Sequence, residues 1–227
     1  MLTDKDLDIL YQAVCHDTCF PPKRATFDKV LERSEMLEVK AKKSIVEYSS
    51  VDTSIWIVAK GMTRLTYYSD NKEVTYGFGA QGTMFCSPLG FIKGEEANFH
   101  LIAVSDVIMF RLSKTDFVDM ITTDIDISNW FFGAVLGQMM ASEIKVNIHG
   151  YPTEETVERF IRGLMEEDYK VINKDMRFNR LQLPMRVLAS YFGITRAHMA
   201  HIVKKVYEKG SDLDNVPKIE YDGNDEE

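Results

Sequence analysis

Cysteine, tryptophan and proline are scarce in this 227-residue sequence, with 3, 2 and 6 copies, and long apolar runs are absent. The longest, Trp130 to Ala141, is interrupted by Gln138 and falls short of the roughly 20 residues that span a bilayer. The first residues, Met-Leu-Thr-Asp-Lys-Asp, lack the basic and apolar regions of a signal peptide. A cytoplasmic protein without a membrane partner is therefore expected. Three cysteines, Cys15, Cys19 and Cys86, make no even secreted framework and read as free thiols in a reducing compartment. There is no nucleophile triad signature, phosphate-cradling glycine loop or zinc-spaced cluster. A metal-dependent β-barrel enzyme needs two or three histidines and a carboxylate converging inside the barrel. Of His16, His100, His149, His198 and His201, only His100 falls in an expected strand. No enzyme, catalytic residue, metal or cofactor is expected.

What is present is 45% hydrophobic residues and a net charge of −8, enough apolar surface for a large core or two modest ones. Thr3 with Asp6 forms a capping signature for a helix to about Cys15, Pro21-Pro22 breaks it, and a second helix is expected over Phe27 to Met36. The period then shortens to that of strands: Ser44 to Tyr48, Ile55 to Val58, Met62 to Tyr68, Val74 to Phe78, Thr83 to Phe85, Phe99 to Val104 and Val107 to Leu112. Such spacing suggests a closed roll or a jelly-roll sandwich. Ser113 and Asp116 signal a further helix start.

A long helix is expected over 126–150. Trp130, Ala134, Gly137, Ala141, Ile144 and Ile148 advance along it by alternating steps of four and three, as in a coiled-coil seam. A second apolar stripe, with Phe131, Val135 and Met139, lies beside the first. One face has the strand domain to pack on, and the other suits the same helix of a second subunit. Burial of the whole helix within a monomer is the alternative. Gly150-Tyr151-Pro152-Thr153 marks a boundary, followed by a helix over Glu154 to Glu167, a short strand around Phe178 to Leu183 and an acidic tail from Asp222.

Leu183 to Lys209 reads as two short helices about Gly193. Val187, Leu188, Tyr191 and Phe192 give the first an apolar face, and Thr195 caps the second. There Met199, Ile202, Val203 and Val206 point inward at helical spacing. Arg196, His198, His201, Lys204 and Lys205 lie largely on other faces. Between Lys170 and Lys209 nine basic residues stand against two acidic ones, a basic island in an acidic chain. Any two helices about a glycine turn can show this spacing, but the basic island is the footprint expected of a helix-turn-helix whose second helix could enter a DNA major groove.

The order of β-roll, long helix and C-terminal helix-turn-helix resembles the Crp/Fnr family of bacterial transcription regulators over nearly the whole chain. The resemblance rests on Ile55-Trp56-Ile57-Val58-Ala59-Lys60-Gly61, Gly82, Leu89-Gly90-Phe91, Arg111-Leu112-Ser113 and the closing motif. It implies an α+β protein with an N-terminal antiparallel β-roll (jelly-roll-like) for effector sensing over 1–125 and a central dimerisation helix over 126–150. A C-terminal winged helix-turn-helix domain follows over 151–227, its wing reduced to Pro217 to Tyr221. The implied partners are a second copy of the chain, double-stranded DNA and an unidentified small-molecule effector, with room left for RNA polymerase. The DNA-binding residues by this resemblance are Thr195, Arg196, Ala197, His198, His201, Lys204 and Lys205.

Two departures qualify the resemblance. Where cyclic-nucleotide-binding members place Gly-Glu-Leu and Arg-Ser, this chain has Ser87-Pro88-Leu89 and Asn98-Phe99, so Phe85, Ser87, Pro88, Leu89, Asn98 and Phe99 form an effector pocket without a carboxylate for ribose or a cation for phosphate. Tyr76, Phe78, Phe91 and Leu101 add apolar lining for an aromatic ligand, or are simply core. In the second helix the family's Arg-Glu pair and later Arg are matched by Arg196, Ala197 and His201. A familiar site is therefore not expected, and a dimeric sensor of the same fold that has lost specific DNA binding remains the alternative. Cys15, His16 and Cys19 do not reproduce the family's cluster-binding cysteines.

Overall fold

The chain is described here by a computed structural model, over residues 2–16, 18–69, 72–150, 154–165 and 183–209. Helix α1 (Asp4–His16) opens on the expected cap: the Thr3 amide donates to Asp6 at 2.8 Å, and the Asp6 amide donates back to the Thr3 hydroxyl at 3.2 Å. Helix α2 (Arg24–Glu32) buries Phe27 and Val30. It stops short of the expected Met36 because Glu35–Val39 forms strand β1, drawn into the ladder opposite β8 (Val107–Leu112) by backbone pairing from Glu35↔Arg111 to Val39↔Val107. The mostly exposed side chains of β1 carry little apolar alternation, so the sequence offers no strand signal there.

The other strands are β2 (Ser44–Val46), β3 (Ile55–Lys60), β4 (Thr63–Ser69), β5 (Lys72–Gly79), β6 (Met84–Cys86) and β7 (His100–Ala103). They form two four-stranded sheets, ordered β1-β8-β3-β6 and β2-β7-β4-β5, paired antiparallel. Side chains alternate across a strand, and β3 uses both faces. Ile55, Ile57 and Ala59 join Phe110 and Leu112 under the helices, whereas Trp56 and Val58 join Met109, Leu101 and Phe99 between the sheets. The result is an antiparallel β-roll with a helical layer on the first sheet.

A six-residue helix, α3 (Pro88–Lys93), interrupts the roll between β6 and β7. Helix α4 (Lys114–Thr123) begins where the Ser113 hydroxyl accepts from the Asp116 amide at 3.1 Å. The long helix α5 (Ile125–Gly150) then crosses the roll. Trp130 is 3% exposed and packs on Phe27 with ring centroids 6.1 Å apart. Ala134 packs against the same core, the Gln138 amide donates to the Met84 carbonyl, and Tyr76 donates to Ser142 at 2.7 Å. Steps of four thus turn one side of α5 onto its own roll.

Both stripes meet the roll in part, since Phe131 of the second packs on Phe117 with ring centroids 4.6 Å apart. Trp130 and Ala134, expected at a subunit seam, are occupied within their own chain, and Gly137 is half-buried. Among the described residues of α5, the exposed large apolar ones are Ile125, Phe132, Met139 and Met140, at 75%, 55%, 57% and 62%. Phe20 lies beside Phe132 at 6.2 Å. The side chains of Ala141, Ile144 and Ile148 lie outside the described set.

Helices α6 (Glu154–Met165), α7 (Met185–Phe192) and α8 (Arg196–Lys209) share a third core of Val157, Ile161, Leu188, Phe192, Met199, Ile202 and Val206. The expected strand around 178–183 falls almost wholly outside the described residues, and the wing and acidic tail fall there entirely.

Candidate functional site

The roll's candidate pocket is built around α3. Ser87 is buried and its hydroxyl accepts from the Gly90 amide at 3.2 Å, so this side chain caps the helix. Pro88 occupies the first turn, where its missing N–H costs nothing, and is exposed. Asn98 is exposed as well, while Phe99 is buried between the sheets and Leu89 is half-buried. Phe85 lies so close to Gly79 that a Cβ there would meet its ring at 2.2 Å. Among the six expected pocket residues, Ser87 is thus a cap, Phe99 core, and Pro88 and Asn98 surface.

The further aromatic candidates diverge too. Phe78 faces the C-terminal helices, Phe91 stacks edge-on to Phe117, Tyr76 reaches α5, and Leu101 is core. A gap of about 10 Å³ does exist, but between the first sheet and the helices, lined by residues such as Val30, Ile57, Met84 and Trp130. It holds about one water-sized sphere.

Burial, followed by the Asp52 carboxylate, pushes the Cys86 thiol up to about 11, which makes its thiolate scarce near neutral pH. Cys15 is half-buried and Cys19 exposed. Among the described residues no group of three or more His, Cys, Asp or Glu is placed to hold a metal.

The second candidate surface is α8. Gly193 at φ 66° closes α7, its left-handed backbone being the conformation glycine adopts without strain. Two residues on, the Thr195 hydroxyl accepts from the His198 amide at 3.2 Å. Met199, Ile202, Val203 and Val206 are buried, which leaves Thr195, Arg196, Ala197, His198, His201 and Lys204 on the exposed side. Six of the seven residues expected to contact DNA are thus exposed.

Lys205 differs. Its ammonium lies 2.6 Å from the Glu154 carboxylate, a contact 51 residues apart in sequence that helical spacing cannot reveal. Its hydrogen bond and charge hold the Glu154 carboxyl below its usual range, with His201 and His198 adding to the effect, and Glu154 in turn raises the Lys205 ammonium. The pair links α6 and α8 across a partly exposed surface.

Residues 36–124 match the cyclic nucleotide-binding domain family. No curated protein sequence is significantly similar to the chain. Among solved structures, FixK2 from Bradyrhizobium japonicum superposes with a TM-score of 0.61 at 16% identity, covering 78% of this chain and 86% of that one. The c-di-GMP-responsive global regulator CLP of Xanthomonas campestris gives 0.61 at 14% identity, over 83% and 93%. A CooA mutant from Carboxydothermus hydrogenoformans gives 0.60 at 12%, over 80% of each chain. These likenesses concern the fold.

Proposed function

We propose that this chain, which carries a cyclic nucleotide-binding domain within the fold of the Crp/Fnr regulators, is a homodimeric, sequence-specific DNA-binding transcription regulator and not an enzyme. One observation carries the reading. Arg196, Ala197, His198, His201 and Lys204 of α8 are exposed, while Met199, Ile202, Val203 and Val206 are buried in the C-terminal core. A helix seated on its own core by one side and presenting arginine, histidine and lysine on the other suits a major groove. The basic window from Lys170 to Lys209 supplies attraction to phosphates in a chain of net charge −8.

Arg196 is the base-reading residue, since its guanidinium can donate two hydrogen bonds to one guanine. Ala197 packs at most on a thymine methyl, and His198, His201 and Lys204 lie within reach of the backbone or bases. Selection of bound sequences from random duplex DNA is expected to give a two-fold symmetric consensus. On that duplex Arg196→Ala is expected to weaken binding by about 1–3 kcal/mol and to relax preference at one base pair of each half-site. Unaltered affinity and preference would remove Arg196 from the interface. A protein that binds no duplex, or binds without steep salt dependence, would favour the dimeric sensor without specific DNA binding.

The roll is the sensing domain, and its effector is not cyclic AMP bound in the usual way. Ser87 is spent on capping α3, Pro88 and Asn98 are turned to solvent, and none of the three carries charge for a ribose-phosphate. Calorimetric titration with cyclic AMP is expected to show no micromolar binding; such binding would reopen the pocket.

A further inference from the structure

The polar side of α8 is presented by way of α7, and α7 is seated on the roll. Strand β5 is the edge of the second sheet. Its Thr75 amide points outward and donates to the Ser190 hydroxyl at 2.9 Å, and that hydroxyl donates in turn to the Glu73 carbonyl at 3.4 Å. One side chain of α7 thus stands in for the next strand of the ladder. Backbone donors and acceptors alternate along an edge, so this pairing fixes where along β5 the helix sits. Phe78 against Tyr191, with ring centroids 5.2 Å apart, fixes the rotation, and Met62 and Val104 pack beneath the same helical core.

Strand β5 also touches the rest of the molecule at this point. Its pairing with β4 runs Leu65↔Gly77 and then Thr66↔Thr75, which leaves Tyr76 as the bulged residue. Tyr76 is the residue whose hydroxyl reaches Ser142 on α5. Leu65, on the paired strand, packs into the core between the sheets. Within four residues of β5, then, the strand is coupled to the roll interior, to the long helix and to α7.

We propose that the bulged edge of β5 is the seat through which the roll sets the posture of the C-terminal helices, with Ser190 as its positioning residue. In the seated posture the α8 surface is accessible, so unseating lowers DNA affinity by diluting the competent arrangement, without altering which bases are read. The inference rests on the DNA-binding reading of α8 for its consequence and on geometry alone for the seat.

The test is amide hydrogen exchange on the full chain, followed by titration with the selected duplex, for the wild type, Ser190→Ala and Ser190→Thr. In Ser190→Ala the Thr75 amide is expected to exchange about five- to tenfold faster, the factor carried by one ordinary hydrogen bond, while the Leu65 and Tyr67 amides of β4 are unchanged. Ser190→Thr keeps the hydroxyl and restores protection. Affinity for the duplex is expected to fall about fivefold or more in Ser190→Ala with its sequence preference intact, unlike the relaxed preference of Arg196→Ala. Equal Thr75 exchange in wild type and Ser190→Ala would overturn the seat. Faster exchange with unchanged or higher affinity would overturn its role in posture. A wild type that binds no duplex would defeat the DNA-binding reading and with it that role, and the exchange data would still report the seat by itself.

Discussion

Phe132→Asp is expected to leave the roll folded and to convert the proposed dimer to a monomer, as read by sedimentation equilibrium alongside circular dichroism. The reasoning begins with the side of α5 that its own chain leaves uncovered. Ile125, Phe132 and Met139 recur at seven-residue spacing with Met140 beside them, all well exposed, and Phe20 widens the patch next to Phe132. An apolar patch of this kind on a helix suits a two-fold partner that presents the same patch, because a self-complementary contact is the commonest way to cover it. The two-fold would place two aspartates in the interface, one from each subunit. An unpaired buried charge costs about 3–5 kcal/mol, so the dissociation constant should rise by at least about 10³-fold. Binding to a symmetric duplex should then fall to that of a single half-site. A variant that stays dimeric would put the interface elsewhere.

The roll was readable because its strands alternate. Ile55, Ile57 and Ala59 on one face of β3, and Trp56 and Val58 on the other, meet different cores, and a period of two is visible in any window of that length. The inward positions of α7 and α8 were readable for the same reason at the helical period. Strand β1 was not, since its residues are held by ladder pairing with β8 and are exposed. Helix α3 depends on the Ser87 cap and on local turn geometry, and six residues are too few to show a period. The long helix shows the limit most clearly. An apolar helix was legible in the sequence, but its sides were not: Phe131 of the second stripe packs on Phe117, while Phe132 and Met140, in neither stripe, are exposed. The side that meets the roll is set by Phe27, Met84 and Tyr76, far away in sequence, which engage Trp130, Gln138 and Ser142. For the candidate pocket the missing charges at Pro88 and Asn98 were plain from the residues, whereas the capping duty of Ser87 needed the fold. The Glu154 and Lys205 pair was invisible for the same reason as the sides of α5.

Trp130→Ala separates the two possible roles of α5 from the opposite side. If Trp130 belonged to a subunit seam, its truncation would weaken the dimer and leave each roll intact. Its ring is instead almost wholly enclosed, packed on Phe27 and bordering the small gap beside Val30, Ile57 and Met84. Removing it would enlarge that gap into a true cavity among side chains that belong to β3, β6, α2 and α4, none of which can close over it without leaving another contact. A buried Trp→Ala change costs about 3–5 kcal/mol. For a chain of this length that corresponds to a fall in Tm of about 10 °C, measurable by calorimetry. The Ile125, Phe132, Met139 and Met140 patch is untouched, so the dissociation constant of the dimer at 25 °C should change little. A dimer weakened about tenfold or more with an unaltered Tm would restore Trp130 to the seam and return the exposed stripe to the surface. The pair of variants therefore places the interface on one side of α5 or the other, because each perturbs the side that the other spares.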